Sequence, residues 1–183
     1  MIINLAMFFI EFGAGVIANS SALQADAVDM LGDAVVYALS LWAIGRGERW
    51  QAGAALIKGL VILALFVFIV IEIVEKVMNG IPPASNLMLI FGAIALGANL
   101  ACLAMLWQFR SLNINMKSIF ECSRNDVAAN VGVLVAAGAV ALSGKAWPDI
   151  VVGSITALLF LRSAVGVILE AWPAWRGSVS HSR

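Results

Sequence analysis

The sequence predicts an all-α membrane protein of six transmembrane helices, and three observations carry that prediction. The chain is 62% hydrophobic and 12% charged, with a mean hydropathy of +0.99, about half the charge fraction of a soluble domain. Its apolar residues fall into six runs, each near the roughly 20 residues a helix needs to cross a bilayer. Short polar or Gly/Pro-containing breaks separate the runs, and no stretch outside them is long enough for a soluble domain after the sixth. The expected division is a membrane domain over 1–171 and a short cytoplasmic tail over 172–183.

The first run, Ile2 to Asn19, is interrupted by Glu11. It has neither the charged start nor the cleavage site of a signal peptide. Ser20-Ser21 makes a tight turn into the second run, Ala22 to Ile44, and a polar loop over 45–49 follows. The third run, Ala52 to Val77, is stopped by Asn79-Gly80-Ile81-Pro82-Pro83. The fourth runs from Leu87 to Phe109 and leads to a polar loop over 110–117. The fifth spans Ser118 to Leu142, and the turn 143–149 places Pro148 to open the sixth, Ile150 to Glu170. Trp172, Trp175 and Arg176 suit a membrane interface.

Basic residues orient the chain. Arg46, Arg49, Arg110, Lys117, Arg176 and Arg183 fall on one side and Lys76 and Lys145 on the other. The positive side is cytoplasmic, which puts both termini there, in a cell (inner) membrane. Net charge is zero and no basic run interleaves with aromatics, so nucleic acid is not an expected partner. Cys102 and Cys122 lie in apolar runs and do not form a disulfide framework. His181 sits in the tail. No nucleophile–base pair suggests an enzyme, and no permanently bound cofactor is expected.

The chemistry is concentrated in the second run. A carboxylate at the centre of a bilayer helix costs about 2.5–3.5 kcal/mol on insertion scales, so it faces a cavity or a partner. Here Asp26, Asp29 and Asp33 share an arc of roughly 60° at about 100° per residue. The fifth run has Cys122 and Asp126 one turn apart, and Asn130 extends their face. Two pairs at i and i+4, Asp29 with Asp33 and Cys122 with Asp126, suit a tetrahedral divalent ion. Metal and protons compete for such ligands, and in a membrane that competition is the basis of antiport.

Plainer readings exist for each residue. The acids could pair with Arg124, Arg162 or Lys58. Cys122 could be a small buried hydrophobe, Glu75 a partner of Lys76, and Glu11 and Glu72 interface or ion-pair residues. Asn99 and Asn130 could join helices by hydrogen bonds. Spacing alone does not bring the two pairs together. Measured from the outer end, Cys122 and Asp126 of a straight fifth helix lie too near the inner end, unless that helix tilts or extends outward.

With these motifs the chain resembles the cation diffusion facilitators, a six-span family of divalent-metal transporters. The resemblance rests on Glu11-Phe12-Gly13, on Ser21-Ala22-Leu23-Gln24-Ala25-Asp26-Ala27, and on Asp29-x-x-x-Asp33. It continues in Cys122-x-x-x-Asp126 before Val131-Gly132-Val133, and in Leu161-Arg162-Ser163. It implies that Asp29, Asp33, Cys122 and Asp126 bind the transported metal, that the second and fifth helices meet, and that a homodimer alternates access. It implies metal efflux in exchange for protons. Asp26 and Tyr37 would line the outer and inner approaches, and Asn130 would stand beside the site. Cys122 replaces the family's usual His or Asp, which favours Zn²⁺, Cd²⁺ or Co²⁺, with Zn²⁺ first. Three carboxylates leave Fe²⁺, Ni²⁺ and Mn²⁺ open. A histidine-rich loop between the fourth and fifth helices is absent, and no soluble C-terminal domain is expected. The competing expectation is a non-transporting membrane interaction protein of the same fold, whose acids pair with Arg124 and Arg162.

Overall fold

A computed structural model describes residues 2–43, 47–110 and 114–176. The side chains of Tyr37 and Cys122 lie outside the described residues. The described chain forms six helices: α1 (Ile2–Ala18), α2 (Ser21–Ala43), α3 (Glu48–Asn79), α4 (Ser85–Trp107), α5 (Ile114–Ser143) and α6 (Trp147–Trp175). The six expected runs thus each form a helix, and α3, α5 and α6 extend further than their apolar stretches. The sixth continues through Trp175, into the segment expected to be tail. Four helices are long and apolar enough to cross a bilayer among the described residues. α1 is apolar but shorter, at 17 residues. α2 has the length, at 23 residues, but carries the three acids.

The turn between α1 and α2 is built by local rules. Asn19 adopts φ 52°, a left-handed conformation that Asn tolerates better than most side chains. Asn19 N–H then bonds Val16 O (3.1 Å) and Ser20 N–H bonds Gly15 O (2.9 Å), closing α1 with a Schellman motif. Ser20 caps α2 in turn, its hydroxyl accepting the Leu23 N–H at 3.1 Å. α3 ends on Gly80 at φ 64°, as the Asn-Gly-Ile-Pro-Pro stretch predicts.

The helices form two groups. α1, α2, α4 and α5 pack around small side chains, with Ala14, Ala18, Ala22, Leu23, Met88, Val133, Ala136 and Ala137 in one buried cluster. α3 and α6 pack most extensively on each other and reach the first group mainly through α2 and α5. Small residues let backbones approach where lipid supplies no hydrophobic drive. Gly153 of α6 lies against the start of α2, and Gly59 of α3 against Ile168 of α6. The outer surface is rich in exposed apolar side chains, such as Val67, Val135, Ile155 and Leu158, as lipid contact requires. Trp42, Trp50, Trp107, Trp172 and Trp175 gather at the end where α2, α4 and α6 finish. There Arg110 stacks 4.5 Å from the Trp107 ring and Arg176 4.3 Å from Trp172, an interfacial belt.

Candidate metal site

The register of α2 against α5 is set by one buried hydrogen bond. Asn130 Nδ2 donates to Asp26 Oδ2 at 2.6 Å. Asn99 of α4 holds the Asn130 amide in turn, donating to its Oδ1 at 3.3 Å. The two helices run antiparallel. Asp29, three residues inward of Asp26, and Asp126, four residues inward of Asn130, therefore come level, at about 4.5–6 Å of helical rise. One turn further, the backbone of Cys122 comes level with Asp33 by the same count.

The depth problem is resolved by the extension of α5 past the start of α2. Ala22, in the first turn of α2, packs in one cluster with Val133, Ala136 and Ala137. α5 then continues to Ser143, with Leu142 92% exposed. Its C-terminal end stands about 10 Å beyond the start of α2, which brings Asp126 level with Asp29.

The outcome is a recess of about 180 Å³ lined by Asn4, Asp26, Asp29, Met30, Asp33, Asn99 and Asp126. It collects the whole acidic stripe of α2 and Asp126 of α5. Asn4 of α1 donates to Asp33 Oδ2 at 3.5 Å. Asp29, Asp33 and Asp126 keep partial exposure, whereas Asp26 is 3% exposed; access declines toward Asp26. Among the described residues, no three Asp, Glu, Cys or His side chains are drawn tightly enough to enclose a metal ion. The donor chemistry nonetheless fits a divalent cation, with up to four carboxylates facing one space and amide groups from three helices around them.

Arg124 and Arg162 are exposed, and a buried ion pair forms elsewhere. Lys76 does not turn to Glu75, which is exposed. Its Nζ reaches Asp149 Oδ2 at 2.7 Å, with both side chains buried. Asp149, read from the sequence as part of a turn, lies in the first turn of α6. It also accepts the Ser20 hydroxyl at 2.5 Å and the backbone N–H groups of Ser21 at 2.8 Å and Ala22 at 3.1 Å. A carboxylate on one helix thus caps the N-terminus of another, where free N–H groups and the helix dipole favour negative charge. Pro148-Asp149 reads locally as a helix start; only the packing of α6 on α2 turns it into a cap for a distant helix. Glu11 is fully buried beside Asp26. Asn99 and Asn130 do form the interhelical hydrogen bond expected of them.

Residues 1–174 match the family described as the cation efflux transmembrane domain. A cadmium, cobalt and zinc/H(+)-K(+) antiporter of Bacillus subtilis is 29% identical over 176 residues, covering 88% of this chain and 57% of the relative. The metal cation efflux system protein CzcD of Cupriavidus metallidurans is 26% identical, with 89% and 58% covered. Zinc transporter ZitB of Escherichia coli is 25% identical, with 88% and 56% covered. The chain spans less than two thirds of the length of these curated relatives. The match over nearly the whole chain and the six-helix architecture, with its acids gathered between α2 and α5, lead to one conclusion: this chain belongs to the family of cation efflux transmembrane domains.

Proposed function

We propose that the protein exports a divalent transition-metal ion across a cell membrane in exchange for protons, with Asp29, Asp33 and Asp126 binding the ion and Cys122 completing the site. The observation that supports this most is the recess that joins the α2 acids to Asp126. Within a membrane, so many carboxylates facing one space need a cation. Their lone pairs take a divalent metal or protons, so loading one releases the other. A thiolate among the ligands favours Zn²⁺, Cd²⁺ or Co²⁺, the ions in the names of the relatives. With both termini cytoplasmic, access declining toward Asp26 corresponds to a site open to the inside. The outward step then requires α2 and α5 to separate at the outer end. Tyr37 and Asp26 border the inner and outer approaches, and a homodimer through the membrane helices is the working assembly.

The test is uptake into proteoliposomes of Zn²⁺, Cd²⁺, Co²⁺, Mn²⁺ and Fe²⁺, with and without a proton gradient. Wild type moves at least one of them faster when the gradient is imposed. Asp29→Ala and Asp126→Ala abolish that flux while the protein still inserts and purifies. Cys122→Ser shifts the order of metals away from Cd²⁺. Full flux in either aspartate variant removes these residues from the site.

A further inference from the structure

The transport reading does not use Glu11. Its side chain is fully buried on α1, and neither carboxylate oxygen has a hydrogen-bond partner. It lies beside the Asp26 carboxyl, close enough for the two charges to act on each other. Asp26 is itself buried, and its Oδ2 is taken by Asn130. Two adjacent carboxylates in a dry interior cost several kcal/mol each unless a proton or a metal cation joins them, so the pair can exchange one for the other. Lys76, the buried base of the outer half, is committed to Asp149.

The pair lies outward of the recess. Glu11 is seven residues before the outer end of α1 and Asp26 five after the start of α2, about 8–10 Å deep. Asp29 and Asp33 are about 12 and 18 Å deep by the same count. One turn further out on α1, Gly15 leaves room for Gln24, whose Cγ would stand 2.7 Å from an added Cβ. Gln24 is 2% exposed; its Nε2 bonds Glu72 Oε2 at 3.2 Å, and its Oε1 has no partner. Among the described residues, the buried side-chain polar atoms without a partner are those of Glu11, Ser21 and Gln24. All belong to the outer half of the α1–α2 hairpin. A packed core satisfies such atoms; unsatisfied oxygens at three positions of this hairpin, beyond the acidic recess, suit a passing ion.

We propose that Glu11 and Asp26 form a second cation site, a relay between the recess and the outer face that holds a divalent metal through oxygen ligands alone. The inference rests on the transport reading above. Asp26 borders both sites, so an ion moves between them without leaving carboxylate contact. Two carboxylates neutralise its charge, and the absence of a thiolate makes the relay a weaker, harder site than the recess, which favours release outward.

The experiment is equilibrium dialysis of the purified protein against Zn²⁺ and Cd²⁺, paired with initial rates in proteoliposomes. Wild type is expected to bind about two ions per protomer, and Glu11→Gln and Asp126→Asn about one each. Glu11→Gln lowers the maximal rate by about tenfold or more, with a much smaller change in half-saturation at the loading face. Glu11→Asp, which keeps the charge on a shorter stem, retains both ions with weaker binding of one. Wild-type ion count or wild-type flux in Glu11→Gln overturns the relay. If Glu11→Gln does not purify folded, wild-type binding in Glu11→Asp overturns it instead. Wild-type protein that binds no metal and moves none removes the transport reading itself. Wild-type protein whose flux depends on Asp126 but not on Glu11 removes the relay alone.

Discussion

Both oxygens of Asp149 are in use, one by Lys76 and the Ser21 N–H, the other by the Ser20 hydroxyl and the Ala22 N–H. Truncating it strands a buried ammonium and uncaps α2 in one step. Breaking a buried pair by removing one partner costs about 3–5 kcal/mol. Asp149→Ala is therefore expected to lower the thermal unfolding midpoint of the purified protein more than Lys76→Met, which leaves the carboxylate its hydroxyl and amide donors. Equal midpoints for the two variants would show that the cap on α2 contributes nothing. Asn130 works by position: its amide, held by Asn99, fixes which turn of α5 faces which turn of α2.

At the scale of the helices, close approach depends on glycine at particular contacts. A Cβ on Gly15 would stand 2.7 Å from Gln24 Cγ and 2.9 Å from the Gln24 backbone nitrogen. Backbone cannot give way as a side-chain tip can, so α1 and α2 must part. Overpacking of this kind costs about 1–3 kcal/mol, the loss expected for Gly15→Ala. Gly13, two residues away on α1, has nothing within 4 Å of such a Cβ. Gly13→Ala should leave the melting midpoint unchanged or slightly raised, since alanine is the better helix former. A matched pair of melting curves checks the contrast, and equal losses in both would contradict the observed α1–α2 packing.

For the whole molecule, a ligand that binds the folded state and not the unfolded one stabilises it by mass action. At about 100 times its dissociation constant the gain is about 2.7 kcal/mol. Zn²⁺ or Cd²⁺ should therefore raise the unfolding midpoint of the wild type, and the rise should shrink in Asp29→Ala and Asp126→Ala. Lower pH should diminish the rise as well, because protons take the same oxygens. A metal-induced rise of unchanged size in the aspartate variants would locate binding elsewhere. α3 and α6 pack most extensively on each other, and Asp149 pins the start of α2 to them.

Six apolar runs, their breaks at Asn-Gly-Ile-Pro-Pro and Pro148, and the acidic stripe of Asp26, Asp29 and Asp33 are legible in the sequence by itself. Each follows from local periodicity and from what a bilayer tolerates. Cys122 and Asp126 are legible as a helical spacing, but the meeting of Asp126 with the acids of α2 is not. That meeting depends on how far α5 extends past α2 and on the bond between Asn130 and Asp26, 104 residues apart. Likewise, Lys76 beside Glu75 reads as a local pair, yet its partner is Asp149, 73 residues away, because α6 delivers a carboxylate to the buried face of α3 while Glu75 faces outward. Helix formation is decided by short-range chemistry and solvent. Which buried charge meets which, and so where an ion can rest, is decided by the packing of helices distant in the chain.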